Sequence, residues 1–366
     1  MSSSISTLAI DATHFALPEP TGVEVYTDAL LPRLSEILLK KDIGVSWIGH
    51  AEHPPVGMPK GVHWVSSPHR RFWSQTALSA LLAQTRPNLF FTPSGIPPLR
   101  SAVPTALTVH DLGVYMAPEA YSAGERLHLD FLAKRATKKA ARIITPSHYV
   151  ERQIEHFWKI KPEHIKVVPH GYGVVSTATQ EVPELVGKKF ILFIGRVEKK
   201  KNLEPVVQGF AKLVESGHDY YLVLAGKPGL GYKDLQHTIR HLPKEAQSRI
   251  ILPGYVANPQ RVWLYGEAQF VVAPCPIEGF GLPVLEAFAA EKPIICAQAG
   301  SLPEVAGDAA LYAQADIPTD WYLQMQTAIT ETSRMRDLVK KGSTYLASYT
   351  WEAAATATAE ALLTAL

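Results

Sequence analysis

Short apolar runs, many of them β-branched, alternate along the chain with longer stretches in which apolar positions recur at helical spacing. Ile5–Asp11, Ile43–Gly49, Asn88–Thr92, Thr105–His110, Arg142–Pro146 and Ile165–Pro169 read as buried strands. Between them Gly22–Lys41, Ser122–Ala141 and Ser147–Trp158 read as helices, the β-α-β rhythm of a parallel sheet. The rhythm pauses over Gly171–Lys188, rich in small and turn residues. It restarts with Lys189–Gly195, Tyr220–Gly226, Arg249–Pro253, Gln269–Pro274 and Pro293–Ala297. The pattern predicts two successive parallel α/β units: 1–176, then a linker at 177–188, then 189–348. An Ala-rich terminal helix follows over 349–366. Ligands of such sheets bind beyond the carboxyl ends of the strands, and two sheets facing each other would form one cleft.

Composition narrows the class. The length of 366 residues suits two domains, and 46% hydrophobic with 19% charged residues is ordinary for a soluble globular chain. A formal net charge of +2 argues against a dedicated nucleic-acid binder. That total hides an asymmetry. Residues 1–180 hold 18 basic against 14 acidic side chains and eleven of the fourteen histidines, and the remainder holds 18 against 20. Cys275 and Cys296 have no C-x-x-C spacing and suggest a reducing compartment. The start shows no basic region followed by an apolar core, and no run approaches the roughly 18 apolar residues of a membrane span. A cytoplasmic location is expected, and the inner face of the cytoplasmic membrane is compatible with it.

Candidate chemistry concentrates in strand-to-helix loops. After the first strand, Thr21 and Glu24 have capping-box spacing, so a helix should start near Gly22. Such a start is either a plain capped turn or an anion site that Gly22 leaves open to a ligand. His110-Asp111 closes another strand, either as a satisfied buried histidine with a helix cap or as a hydrogen-bonding pair for a sugar hydroxyl. In GRVEKKKN, Gly195–Asn202, Arg196 offers a planar fork and Lys201 a mobile point charge for phosphate, and Asn202 can cap the next helix. Lys199 and Lys200 read as solvated. The most informative loop is PCPIEGFGLPVLEAFAA, Pro274–Ala290. Gly279 and Gly281 free the backbone, Pro283 suits a first helical turn, and the amides of Gly279 to Leu282 would point at a ligand. Glu278 and Glu286 stand eight apart and could grip hydroxyl pairs of a ribose or hexose. A paired-acid glycosidase is the rival, less natural because this loop presents amides rather than water.

The E-x7-E element Glu278–Glu286 with GFGLP inside it closely resembles the signature of retaining glycosyltransferases of family 4. GRVEKKKN and His110-Asp111 are similar to that family's phosphate element and first-domain histidine motif. TGVEVY, VHDL, PSHY and GSLPEVAG are most similar to its bacterial mannosyltransferase-like branch. The similarity runs from Thr21 to about Trp351. It implies a GT-B fold, two Rossmann-like domains facing across a cleft, with the terminal helix crossing back to the first. It also implies that Arg196 and Lys201 bind the diphosphate of a nucleotide-sugar donor. Glu278 with the backbone of Gly279, Phe280, Gly281 and Leu282 would hold the donor sugar, and Glu286 the ribose. His110 would contact the transferred sugar, Gly22 would let its loop approach the diphosphate, and the Val256 backbone would meet the base. Two departures stand out: the first loop has Val23 where a second glycine is common, and Cys275 stands where serine is more usual.

The reaction implied is transfer of a hexose with retained configuration. No D-x-D metal element stands out, so no essential metal is expected. GDP-mannose is the first expectation for the donor and a UDP- or dTDP-sugar the alternative. A sugar-nucleotide epimerase and a non-catalytic nucleotide-sugar binding module remain open beside it. For a glycan or lipid-linked acceptor, Arg70, Arg71 and Trp73 lead into an apolar stripe through Ala77 and Leu81 with Leu78 and Leu82. The stripe is either a membrane-surface helix or a helix packed on the first sheet. Lys134, Arg135, Lys138, Lys139 and Arg142 form a second basic face, either a solvated helix face or part of a membrane or acceptor surface.

Overall fold

The computed structural model describes residues 6–69, 71–173 and 178–366; Ile5, Arg70 and the 174–177 stretch lie outside them. Two compact units emerge. The first comprises Met1–Leu112, Ser122–Gly171 and Thr350–Leu366, and the second Gly113–Tyr121 and Tyr172–Tyr349.

The first unit is built on a parallel sheet of β1 (Thr7–Asp11), β2 (Gly44–Gly49), β3 (His63–Ser66), β4 (Leu89–Thr92), β5 (Thr105–Thr108), β6 (Arg142–Thr145) and β7 (Ile165–Val167). Their order is β3-β2-β1-β4-β5-β6-β7. Leu8 of β1 registers with Val45 on one side and Leu89 on the other. All three are essentially without exposed surface, as expected of a parallel sheet covered on both faces. The helix Gly22–Leu39 covers one face through Tyr26, Leu30, Leu31, Leu34 and Leu38, and continues through Pro32. The terminal helix Trp351–Leu363 lies on the same face, buries Ala355, Ala359 and Leu362 in that core, and pairs Glu352 with Arg33 at 2.7 Å. Gly171 allows this close approach, because a Cβ there would meet the Trp351 nitrogen at 2.1 Å. The other face is covered by Ala77–Thr85, whose Leu78 and Leu82 pack on Ala9, Ile48 and Phe90. The predicted helix over 122–141 is present, but it widens to π geometry at His128–Ala133.

The second unit has β8 (Phe190–Ile194), β9 (Tyr221–Ala225), β10 (Ile250–Gly254), β11 (Phe270–Ala273), β12 (Ile294–Ala297) and β13 (Leu311–Ala313). These lie parallel in the order β10-β9-β8-β11-β12-β13. The amphipathic helix Leu203–Glu215 buries Val206, Val207, Phe210 and Leu213 against it.

Three sequence expectations change. The described part of the expected 177–188 linker is no free tether. It makes a turn at Pro183–Leu185, and Val182 and Leu185 are buried in the second unit's core because they are its apolar anchors. The chain leaves the first unit at Gly171, and Gly113–Tyr121 belongs to the second unit although it lies within the sequence of the first. Strands β3 and β13 have no counterpart in the apolar pattern: β3 lacks a fully buried position, and β13 is only 3 residues long.

Candidate functional site

In each sheet the strand order reverses between two central strands, where open α/β sheets carry their ligand crevice. In the first unit these are β1 and β4. Asp11, at the end of β1, accepts hydrogen bonds from the Thr13 amide (3.0 Å), the Thr13 hydroxyl (2.7 Å) and the Thr92 hydroxyl at the end of β4 (3.2 Å). These bonds fix the floor of the loop that leads to Gly22. The helix does start at Gly22, and the Glu24 carboxylate accepts from the Thr21 amide at 2.9 Å and from the Thr21 hydroxyl. Glu24 also meets His14 Nδ1 at 3.4 Å. That imidazole, aided by Thr21 and against the effect of burial, pulls the Glu24 carboxyl down to about 2. The same bond holds His14 above its ordinary value in spite of burial. Gly22 itself is exposed.

His110 lies just past β5 and donates from Nε2 to the Pro93 carbonyl at 2.7 Å. Its ring sits edge-on to buried Tyr26 at 4.8 Å. Burial lowers its pKa, so near neutrality the ring is uncharged and Nδ1 is left as an acceptor. His110 is thus anchored by one nitrogen and able to accept with the other.

In the second unit the reversal falls between β8 and β11. A small pocket opens at their carboxyl ends, walled by Phe193, Ile194, Ala273, Cys275, Gly281, Leu302 and the side chains of Lys201 and Glu278. Lys201 comes from a 3₁₀ turn after β8 and donates to Glu278 Oε2 at 2.6 Å. The two side chains are 18% and 22% exposed. Burial opposes both charges, but their mutual attraction outweighs it. The ammonium is held above, and the carboxyl below, its ordinary range.

The loop that carries Glu278 is held from an unexpected side. Buried Ser301 donates both its amide (3.0 Å) and its hydroxyl (2.9 Å) to the Glu278 carbonyl. Gly281 adopts φ +102° just before the helix Leu282–Ala289, and a Cβ there would stand 2.8 Å from Leu302 Cδ2. Phe280 is buried, 5.8 Å from the Tyr349 ring, and Leu282 packs on the core. Cys275 donates its Sγ–H to the Lys200 carbonyl at 3.2 Å, and burial pushes the thiol up to about 12. It is a packed thiol and no nucleophile.

Arg196 is 55% exposed, with Nε 4.0 Å from Glu198. Lys200, expected to be solvated, is 28% exposed and pairs with Glu198 at 3.5 Å. Asn202 does not cap the following helix. It adopts φ +53° and donates instead to the Ala315 carbonyl and Asp316.

Glu286, in the Leu282–Ala289 helix, is 11% exposed and ion-paired with Arg261; it also accepts from the Tyr265 hydroxyl at 2.5 Å. Val256 lies in the loop between β10 and the helix Asn258–Glu267 that carries these two partners. Ser301, Arg261 and Tyr265 were not singled out as site residues by sequence. Only GSLPEVAG gave any signal for Ser301.

Of the proposed surface residues, Arg70 lies outside the described residues. Arg71 is exposed, with its guanidinium 5.3 Å from the 70% exposed Phe72 ring. Trp73 turns inward, packing beside His50 at 4.2 Å and on the Leu78–Leu82 cluster, so it offers no surface anchor. The stripe at 77–82 faces the sheet because its leucines supply that face of the core.

Residues 20–174 match the model of "Glycosyltransferase Family 4" and residues 176–344 that of "Glycosyl transferases group 1". The chain is 26% identical over 263 residues to the O-antigen chain mannosyltransferase B of Escherichia coli, covering 69% of this chain and 68% of that one. It is 25% identical over 257 residues to the O-antigen chain mannosyltransferase RfbU of Salmonella typhimurium, covering 70% and 68%. Among solved structures, sucrose-phosphate synthase from Thermosynechococcus elongatus superposes with a TM-score of 0.75 at 17% identity over 98% of each chain. Two family models that together span most of the chain, and a shared fold, lead to one conclusion: the chain belongs to glycosyltransferase family 4, a glycosyltransferase with the GT-B fold.

Proposed function

We propose that the protein transfers mannose from GDP-mannose, with retained configuration and without an essential metal, to a glycan or lipid-linked acceptor in cell-surface polysaccharide synthesis. The observation that carries the reading is the Lys201–Glu278 pair in a pocket at the strand-order reversal, with half-exposed Arg196 in the same loop as Lys201. A departing diphosphate needs such cations, and a hexose needs such a carboxylate. The mannosyl group is suggested by relatives named O-antigen mannosyltransferases.

In this reading the bond from the anomeric carbon to the diphosphate oxygen breaks while an acceptor hydroxyl adds from the same face. The acceptor's proton passes to the departing diphosphate. Lys201, Arg196 and the amides of Gly279 to Leu282 meet the growing charge, and Glu278 and the His110 region hold the sugar. No residue is assigned as a covalent nucleophile. Gly22 would admit the diphosphate, Val256 the base and Glu286 the ribose.

Peripheral attachment to an anionic membrane at the cytoplasmic face belongs to the same proposal. It is supported by Leu127 (70% exposed) and Phe131 (48% exposed), with Arg135 stacked on Phe131 at 3.6 Å, rather than by Trp73. Among the described residues no helix is long and apolar enough to cross a membrane.

A nucleotide-sugar panel in thermal unfolding, followed by transfer to a lipid-linked oligosaccharide with and without chelator, tests the proposal. Stabilisation by GDP-mannose and an unchanged anomer in the product are expected. Stabilisation by UDP-sugars alone would overturn the donor assignment, and loss of turnover with chelator the metal-free one. Flotation with anionic vesicles at low salt tests the membrane surface; no binding removes it.

A further inference from the structure

The helix Asn258–Glu267 presents Arg261 and Tyr265 one turn apart, on one face, toward Glu286. The guanidinium takes Oε1 and the phenol takes Oε2. Each carboxylate oxygen has two lone-pair directions, so each keeps one acceptor free. The carboxylate is thereby fixed in rotation, with two adjacent acceptors side by side. That array matches two vicinal hydroxyl groups, the cis-diol of a ribose, better than it matches a single hydroxyl. The cluster is not sealed, since Arg261 is 22% and Glu286 11% exposed. The loop carrying Val256 enters the same helix, so the proposed base contact and the two residues that hold Glu286 lie on one continuous segment.

We infer that Arg261 and Tyr265 are positioning residues that make the donor site selective for ribonucleoside diphosphate sugars over 2′-deoxyribonucleoside diphosphate sugars such as those of thymidine. The inference rests on the reading of Glu286 as the ribose contact. A fixed acceptor pair rejects a ligand that supplies one hydroxyl, because the second lone pair then loses its water without replacement. A carboxylate free to rotate would re-aim and discriminate less.

The test is calorimetric binding of GDP against 2′-deoxy-GDP, and of UDP against 2′-deoxy-UDP, to the full chain. The wild type should prefer the ribonucleotide by roughly ten- to a hundredfold, the range for one hydrogen bond to a charged acceptor. Glu286→Gln should collapse that ratio. Arg261→Leu and Tyr265→Phe should lower it toward one while changing 2′-deoxynucleotide affinity little, and Arg261→Lys should restore part of it. If Arg261→Leu weakens both nucleotides equally, or keeps the wild-type ratio while Glu286→Gln loses it, the positioning role fails and the Glu286 reading stands. If Glu286→Gln keeps the ratio, the ribose reading itself falls, and a wild type without preference overturns the inference directly. Should Arg261→Leu not fold, Arg261→Lys and Tyr265→Phe carry the comparison, with an unaltered ratio in both counting against it.

Discussion

Removing the Lys201 ammonium separates a catalytic role from a structural one. Its Nζ stands 2.6 Å from Glu278 Oε2. At an effective dielectric constant of about 20 the gross attraction is about 6 kcal/mol. Desolvation of two largely buried groups offsets most of this. Both side chains retain about a fifth of their exposure, so water can partly solvate the carboxylate left behind. Lys201→Ala should therefore cost about 1–3 kcal/mol of stability, less than the loss for a fully sealed pair. The pH dependence has a definite sign. Lys201 holds the Glu278 carboxyl below its ordinary value of 4.5, so the pair's contribution is complete above that value and is lost as pH falls through the lower folded one. The stability gap between wild type and Lys201→Ala should accordingly narrow in acid. Turnover should behave differently. If Lys201 meets charge on a departing diphosphate, its loss costs about a hundred- to a thousandfold in rate. Neutralising the stranded carboxylate in a Lys201→Ala/Glu278→Gln double variant should return much of the stability and none of the turnover. Urea unfolding gives the first quantity and sugar transfer at saturating donor the second. Unchanged turnover in a folded Lys201→Ala protein would refute the assignment.

Arg196→Ala should leave stability within about 0.5 kcal/mol, since the side chain is half exposed and only loosely paired, yet lower turnover at least tenfold; chemical unfolding and transfer assays separate the two. Ser301→Ala removes a hydroxyl 2.9 Å from the Glu278 carbonyl, itself buried, and should cost about 1 kcal/mol with a fall in kcat that Ser301→Thr partly rescues. Cys275, whose thiol is pushed up to about 12, should resist alkylation at pH 8 in the native protein and react after denaturation; rapid native labelling at that position, read by mass spectrometry, would contradict its burial. His14→Ala should cost under about 1 kcal/mol, because His14 is partly exposed. The sign is set by its raised pKa: the bond to Glu24 contributes below pH 6.5 and is lost as pH rises through the higher folded value, so the difference between wild type and variant should shrink as the pH is raised above 6.5.

What the sequence made legible was governed by local physics. Buried strands of parallel sheets have to be apolar on both faces, so β1, β2, β4, β5, β8, β9, β11 and β12 stand out as short apolar runs. The helix at Gly22 was readable because Thr21 and Glu24 are three apart and the cap is local. Lys201 and Glu278 stood out by their place in loops after strands, and the structure brings the two together in one pocket. The unreadable parts are all long-range. Ser301 grips Glu278 across 23 positions and Tyr265 reaches Glu286 across 21, with no local spacing to announce either. Trp73 resembled a surface anchor because basic residues precede it, but its ring supplies volume beside His50 and the Leu78–Leu82 cluster. Asn202 looked like a cap. Its amide is instead used by Ala315 and Asp316, which a local rule does not see.

The charge pattern of the second unit bears on how its cations divide their work. Glu278 already holds Lys201, Glu286 holds Arg261, and Glu198 stands closest to Lys200. Arg196 is the most exposed of these four basic side chains and keeps only a 4.0 Å approach to Glu198. An arriving anion therefore meets Arg196 without displacing a carboxylate, whereas it gains Lys201 only by competing with Glu278. Under the proposed function that competition is useful: a diphosphate drawing the ammonium away frees Glu278 to accept hydroxyl groups of the sugar attached to the same donor. A bare anion would take Lys201 and leave Glu278 unpaired in a poorly solvated pocket. A nucleotide sugar supplies both partners at once. Under the proposed function the pair would therefore favour the intact donor over its diphosphate product, through one 2.6 Å contact at the reversal of strand order.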